Sequence, residues 1–168
     1  MDTLVNRVAN SPIITLDLSE YLPQESYAEF DIKDYLWQDL ILKEKDFRTA
    51  MKTKDWSKYA GKLVLVSCST DAIIPQWAYA LIANTLSEVA ADIFVGTQKE
   101  YIKARYVSVI DNLDVSPYEG RPMILKGCGD NSVPPEAYSR MAIKLKAVAK
   151  SVMYGEACSA VPIYKKPK

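Results

Sequence analysis

The sequence predicts an α/β fold: a small, three-layer, parallel or mixed sheet of three to four strands with helical crossovers, preceded by an N-terminal strand and helix arm. Three observations lead there. Short apolar runs, Leu63 to Val66 and Met123 to Leu125, are the length of strands and too uniformly apolar for a surface helix. Each is followed by a polar loop, a proline and a segment with apolar residues at helical spacing. Strands that alternate with helices imply parallel pairing through crossovers.

In chain order, Ile13 to Leu18 has strand-like content and Leu22-Pro23 ends it. Tyr27 to Ile32 alternates apolar and polar residues, as a half-exposed strand does. The stretch Asp34 to Leu42 reads equally as helix or strand. Lys43 to Met51 is a short helix whose mixed charges form a solvated face, Asp55 to Tyr59 adds a turn, and Gly61 stops it. The first core strand covers 62–68. Its helix opens at Pro75 and runs to Val89 on a stripe of Trp77, Ala78, Leu81, Ile82, Thr85 and Leu86. A second strand, 92–96, precedes a helix from Lys99 to Leu113. The third strand is 122–127. Pro134 and Pro135 open a last helix that continues to Met153 and stops at Gly155, and Ile163-Tyr164 forms a short edge strand. No internal repeat stands out. The expected organisation is a single domain over 1–168, with an arm at 1–60 and an α/β core at 61–164. The commonest small arrangement sets strand 62–68 between the other two core strands.

Composition narrows the function. The chain has 168 residues, 49% hydrophobic and 25% charged, an ordinary globular balance. Its 21 basic and 21 acidic side chains cancel, which argues against general nucleic-acid binding despite the basic tail Lys165 to Lys168. No run approaches a membrane span, and the N-terminus lacks the apolar core of a signal peptide, so a cytoplasmic location is expected. There is no histidine, hence no Ser-His-Asp triad, Cys-His dyad or imidazole base.

Sulfur is what remains. Cys68 and Cys128 each end an apolar strand and begin the loop before a helix, and ligands of open α/β sheets bind at such loops. In a reducing compartment, grouped cysteines serve metal or redox chemistry more often than disulfides. Cys68, Cys128 and Cys158 supply three soft thiolates suited to zinc. A fourth ligand would come from Asp71, Asp130, Glu156, water, substrate or a second chain, so a homodimer is an admissible partner. Iron, or an iron–sulfur cluster, which wants four thiolates, fits less well. A last helix running back along the sheet would deliver Cys158 to the strand N-termini, away from the other two thiols. A competing reading makes Cys128, within Lys126-Gly127-Cys128-Gly129-Asp130, a metal-free redox or sulfur-transfer thiol before a helix N-terminus. A third makes the chain a non-catalytic interaction domain whose cysteines fill space.

Several stretches carry a resemblance: Val5 to Ser11, Leu40 to Arg48, Asp71 to Tyr79, Lys126 to Gly129 and Gly155 to Lys165. With these the chain resembles an uncharacterised bacterial family, domain of unknown function 2480, along nearly its whole length. The resemblance implies one compact cytoplasmic domain of about this size and brings no assigned activity.

Overall fold

The computed structural model describes residues 12–126, 133–156 and 159–167. Its strands and helices, in chain order, are β1 (Ile14–Asp17), β2 (Tyr27–Asp31), α1 (Glu44–Thr53), β3 (Leu63–Ser67), α2 (Gln76–Leu86), β4 (Asp92–Val95), α3 (Gln98–Asn112), β5 (Pro122–Lys126), α4 (Pro135–Lys146), β6 (Ser151–Tyr154) and β7 (Val161–Lys165). The α/β class is the one the sequence predicts, with helical crossovers between mostly parallel strands. There are two sheets instead of one, ordered β2-β3-β4 and β1-β5-β6-β7. The chain divides correspondingly into two compact units, residues 24–101 and residues 1–23 with 102–168, the division falling within α3.

In the 24–101 unit all pairings are parallel and β3 is central. Leu63 to Val66 are buried on both faces, which is why the run is uniformly apolar. Phe30, Phe47, Met51, Tyr59, Val64, Val66, Ile82 and Leu86 form its main core. Phe47 and Met51 lie one helical turn apart and give α1 its buried stripe. The ambiguous stretch 34–42 is neither helix nor strand. A short 3-10 helix, Ile32–Tyr35, is followed by a tight turn in which Gln38 and Asp39 take positive φ and Trp37 bridges Ile41.

In the other unit β1, β5 and β6 are parallel and β7 closes one edge antiparallel to β6. The core gathers Leu16, Leu18, Tyr106, Ile110, Met123, Leu125, Met141, Leu145 and Val152. The last helix ends at Lys146, not Met153, and Ser151–Tyr154 is a strand. The apolar spacing Leu145, Ala149, Val152 would continue a helix. What redirects the chain is β5, whose free edge takes β6 as a parallel partner. The expected strand order also fails: strand 63–67 is flanked by β2 and β4, and strand 122–126 lies in the other sheet between β1 and β6.

The structure also exposes a repeat that the sequence hides. Each unit follows the same plan: a strand, a 3-10 helix, a helix, a second 3-10 helix, the central strand, a helix and a third parallel strand. Residues pair at one constant spacing: Asp55 with Asp114, Ser57 with Ser116, Tyr59 with Tyr118, Gly61 with Gly120, Pro75 with Pro134, Tyr79 with Tyr138, Leu86 with Leu145 and Gly96 with Gly155. Their roles coincide. Ser57 and Ser116 each donate a backbone N–H and a hydroxyl to the preceding Asp, at 2.9 Å. Gly61 and Gly120 take φ of 67° and 65°, and their N–H groups donate to Val89 and Val148 carbonyls at 2.9 Å. Left-handed φ strains any residue with a Cβ, so both positions are glycine. The 3-10 helices after the first strands repeat too, as Asp17-Leu18-Ser19-Glu20-Tyr21-Leu22 and Asp31-Ile32-Lys33-Asp34-Tyr35-Leu36. Most of the repeat is conserved as apolar character, not identity, so it is nearly silent in the letters alone.

Candidate functional site

Parallel strands end together, and the loops leaving their carboxyl ends are the natural ligand edge of each sheet. In the 24–101 unit Asp31 ends β2. Its Oδ1 accepts the Lys33 N–H at 2.9 Å, starting the 3-10 helix, and the Ser69 N–H at 3.1 Å, tying it to the loop after β3. Burial raises the Asp31 pKa, but hydrogen bonds from the Ser69 hydroxyl and the Lys33 and Ser69 backbone outweigh it, leaving the carboxyl below its ordinary range. Cys68, a free half-buried thiol, is the first residue of that loop, and its Sγ lies 3.3 Å from Thr70 Oγ1. The nearby Tyr79 hydroxyl, on α2, is pushed up by burial first and then by its electrostatic interaction with Cys68. Asp71 is exposed in the same loop. After β4, Gly96 at φ 142° leads to Thr97, whose N–H and hydroxyl both donate to Glu100 Oε2 at 2.7 and 2.8 Å, closing the start of α3.

The equivalent edge of the other unit carries Asp17, which accepts the Ser19 N–H at 2.9 Å and its hydroxyl at 2.6 Å. Lys126 Nζ lies 3.7 Å away. The Ser19 hydroxyl first, then its backbone and Lys126, hold the Asp17 carboxyl below its usual range. Both aspartates therefore stabilise the fold as anions. A folded-state pKa below the unfolded one gives stability that is full above the unfolded value and lost as pH falls through the folded one. We expect the melting temperature to drop on acidification below about pH 4, and Asp31→Asn, which keeps an acceptor but cannot titrate, to shallow that drop. Thermal melts by circular dichroism from neutral to acid pH check it; an unchanged acid slope would refute the assignment.

Of the residues the sequence singles out, Cys68 and Asp71 share one loop. Cys128 and Cys158 lie outside the described residues. Register shows that Cys68 and Cys128 are not matched positions: Asp31 faces Ser67 and Asp17 faces Lys126, so Ser67 and Lys126 correspond. Cys68 is one residue past its ladder and Cys128 is two past. In the repeat Cys128 corresponds to Ser69, and Cys68 to Gly127. The strands before them are not neighbours, so strand adjacency no longer joins these two thiols. For Cys158 the change runs the other way. Because α4 ends early, β6 runs parallel beside β5 with Leu125 opposite Tyr154, so the strands that precede Cys128 and Cys158 in sequence are adjacent. Among the described residues no three His, Cys, Asp or Glu side chains are grouped to hold a metal ion. Sequence reasoning missed Asp31 and Thr70; the recurring Asp-Leu/Ile-x-Glu/Asp-Tyr-Leu string was the available signal for Asp31. No helix among the described residues is long and apolar enough to cross a membrane.

A protein-family description, "Protein of unknown function (DUF2480)", matches residues 2–166. No curated protein and no solved structure matches the chain.

Proposed function

The chain belongs to the DUF2480 family, and within that family we propose that it binds a transition metal ion, zinc, through cysteine thiolates at the carboxyl edge of the sheet. Cys128 and Cys158 form the core of the ligand set. The observation that supports this reading is the parallel pairing of β5 with β6, the strands that precede Cys128 and Cys158 in sequence. Thiolates are soft donors suited to zinc, and a site with two of them needs a carboxylate or water to reach four ligands. Glu156, exposed just after β6, is the carboxylate nearest in sequence to Cys158. Cys68 and Asp71, on the loop after β3 in the 24–101 unit, are a separate candidate pair.

Elemental analysis of untagged, full-length protein tests the reading, with free-thiol counts before and after denaturation. Near-stoichiometric zinc, with thiols masked until unfolding, is the expected result. Cys128→Ser and Cys158→Ser should each weaken zinc binding by more than about tenfold, the loss caused even by removing an outer partner of a metal ligand. The same titration on Cys68→Ser tests whether the thiol of the 24–101 unit takes part in zinc binding. Protein that takes up no zinc on reconstitution, with freely reactive thiols, ends the proposal.

A further inference from the structure

The repeat makes each unit a control for the other, and their helix pairs differ in one consequential way. Between α3 and α4, Arg140 bolts the pair together: Nε and Nη2 donate to the Asp111 carboxylate at 2.5 and 2.7 Å. Lys144 Nζ adds bonds to the Ile110 and Asp111 carbonyls at 2.7 and 2.6 Å. In the 24–101 unit the corresponding residues are Lys52 for Asp111, Leu81 for Arg140 and Thr85 for Lys144. None can make those bonds. Lysine has no partner in leucine, and the Thr85 hydroxyl donates to its own helix, to the Leu81 carbonyl at 2.8 Å. A groove of about 410 Å³ lies there between α1 and the end of α2; the α3–α4 pair has one of about 400 Å³, but it is displaced toward Pro135 and Glu136 and has Arg140 in its wall.

Its lining has a definite chemistry. Met51, Leu81, Val89 and the Trp56 ring give it an apolar floor. Lys52 stands on the α1 side and Glu88 on the α2 side, each exposed and without an ion pair among the described residues. Arg48, also on the rim, is held by Glu44 at 2.8 Å and lies over the Trp77 ring. One cation and one anion thus face an apolar surface without neutralising each other. Glu88 lies just past the carboxyl end of α2, where the helix dipole further favours a cation. The volume lies within the range of small-molecule sites.

We propose that this groove binds a free apolar α-amino acid, with Lys52 taking the carboxylate, Glu88 the ammonium group, and the side chain lying against Trp56, Leu81 and Val89. The complementary charges require a zwitterion, and the apolar floor requires a branched or aromatic side chain. The inference is independent of the metal site.

Equilibrium dialysis and calorimetry on the full chain, with L-phenylalanine and L-leucine as probes, test it. Saturable binding is expected. N-acetyl-L-phenylalanine, which lacks the ammonium, and L-phenylalaninamide, which lacks the carboxylate, should each bind at least about tenfold more weakly, the range for losing a charged hydrogen bond. Lys52→Gln and Glu88→Gln should weaken the free amino acid similarly, and both are surface changes that leave the fold intact. Glu88→Gln should not further weaken the acetylated compound. The pair Lys52→Asp with Leu81→Arg, which rebuilds the other unit's bolt, should abolish binding while circular dichroism stays unchanged. No saturable binding of either amino acid up to about 10 mM, or binding indifferent to both Gln variants, overturns the proposal.

Discussion

Phe30→Ala is expected to destabilise the 24–101 unit by about 3–5 kcal/mol, the usual loss for truncating a buried aromatic side chain. Phe30 is fully buried on β2 and sits at the centre of the unit's aromatic cluster. Its ring stacks on Tyr35 at 5.3 Å and on Trp56 at 5.9 Å, and meets Tyr59 at 6.1 Å. The Lys54 ammonium lies over the rings of Phe30, Tyr35 and Trp56 and bonds to the Tyr35 hydroxyl. Rigid elements surround the ring on several sides, so the cavity cannot close by a side-chain shift alone. The aromatic pairings add to the area term, at about 0.5–1.5 kcal/mol each. Urea unfolding followed by tryptophan fluorescence reads the change. A loss below about 1 kcal/mol would mean that the cluster relaxes around the gap and is not the keystone of this unit.

Tyr106→Ala should cost about 3–5 kcal/mol by the same truncation, and Tyr106→Phe isolates a different part of it. Tyr106 is buried on α3, and its hydroxyl donates to the Leu18 carbonyl at 3.0 Å, joining α3 to the 3-10 helix after β1. Burial first, then the negative charge of Asp17, pushes its phenol pKa up, so it remains a donor across the ordinary pH range. Removing the hydroxyl deletes this bond while the Leu18 carbonyl keeps its place in the 3-10 helix, so the expected loss is about 0.5–1.5 kcal/mol. The repeat supplies the reference: the position equivalent to Tyr106 is Phe47, buried without any hydroxyl. If Tyr106→Phe is neutral in urea unfolding, the bond contributes no net stability and the two positions are energetically alike.

The loops were less legible than the strands. Cys68 and Asp71 were recognisable because a thiol and a carboxylate after an apolar run suggest a strand-end site. Asp31 was not, because its importance lies in a bond to Ser69, a residue distant in sequence. The helix after Pro135 was overextended because Leu145, Ala149 and Val152 keep a helical period across its true end. That error hid β6, a strand whose carboxyl end lies beside that of β5.

What the sequence determined by itself was the local layer of this protein. Apolar run length, proline and glycine punctuation and helical spacing specify a strand or a helix from neighbours a few residues apart, and β3, α1, α2 and β5 follow from them. The tertiary structure alone decided which strands pair, that there are two sheets, that residues 151–154 leave the helical pattern to pair with β5, and that the two units repeat one plan. The physical reason is that strand pairing depends on backbone hydrogen bonds, which are the same for every residue except proline. Letters fix which side chains are buried, but partners are chosen by which edges remain free once the cores have packed.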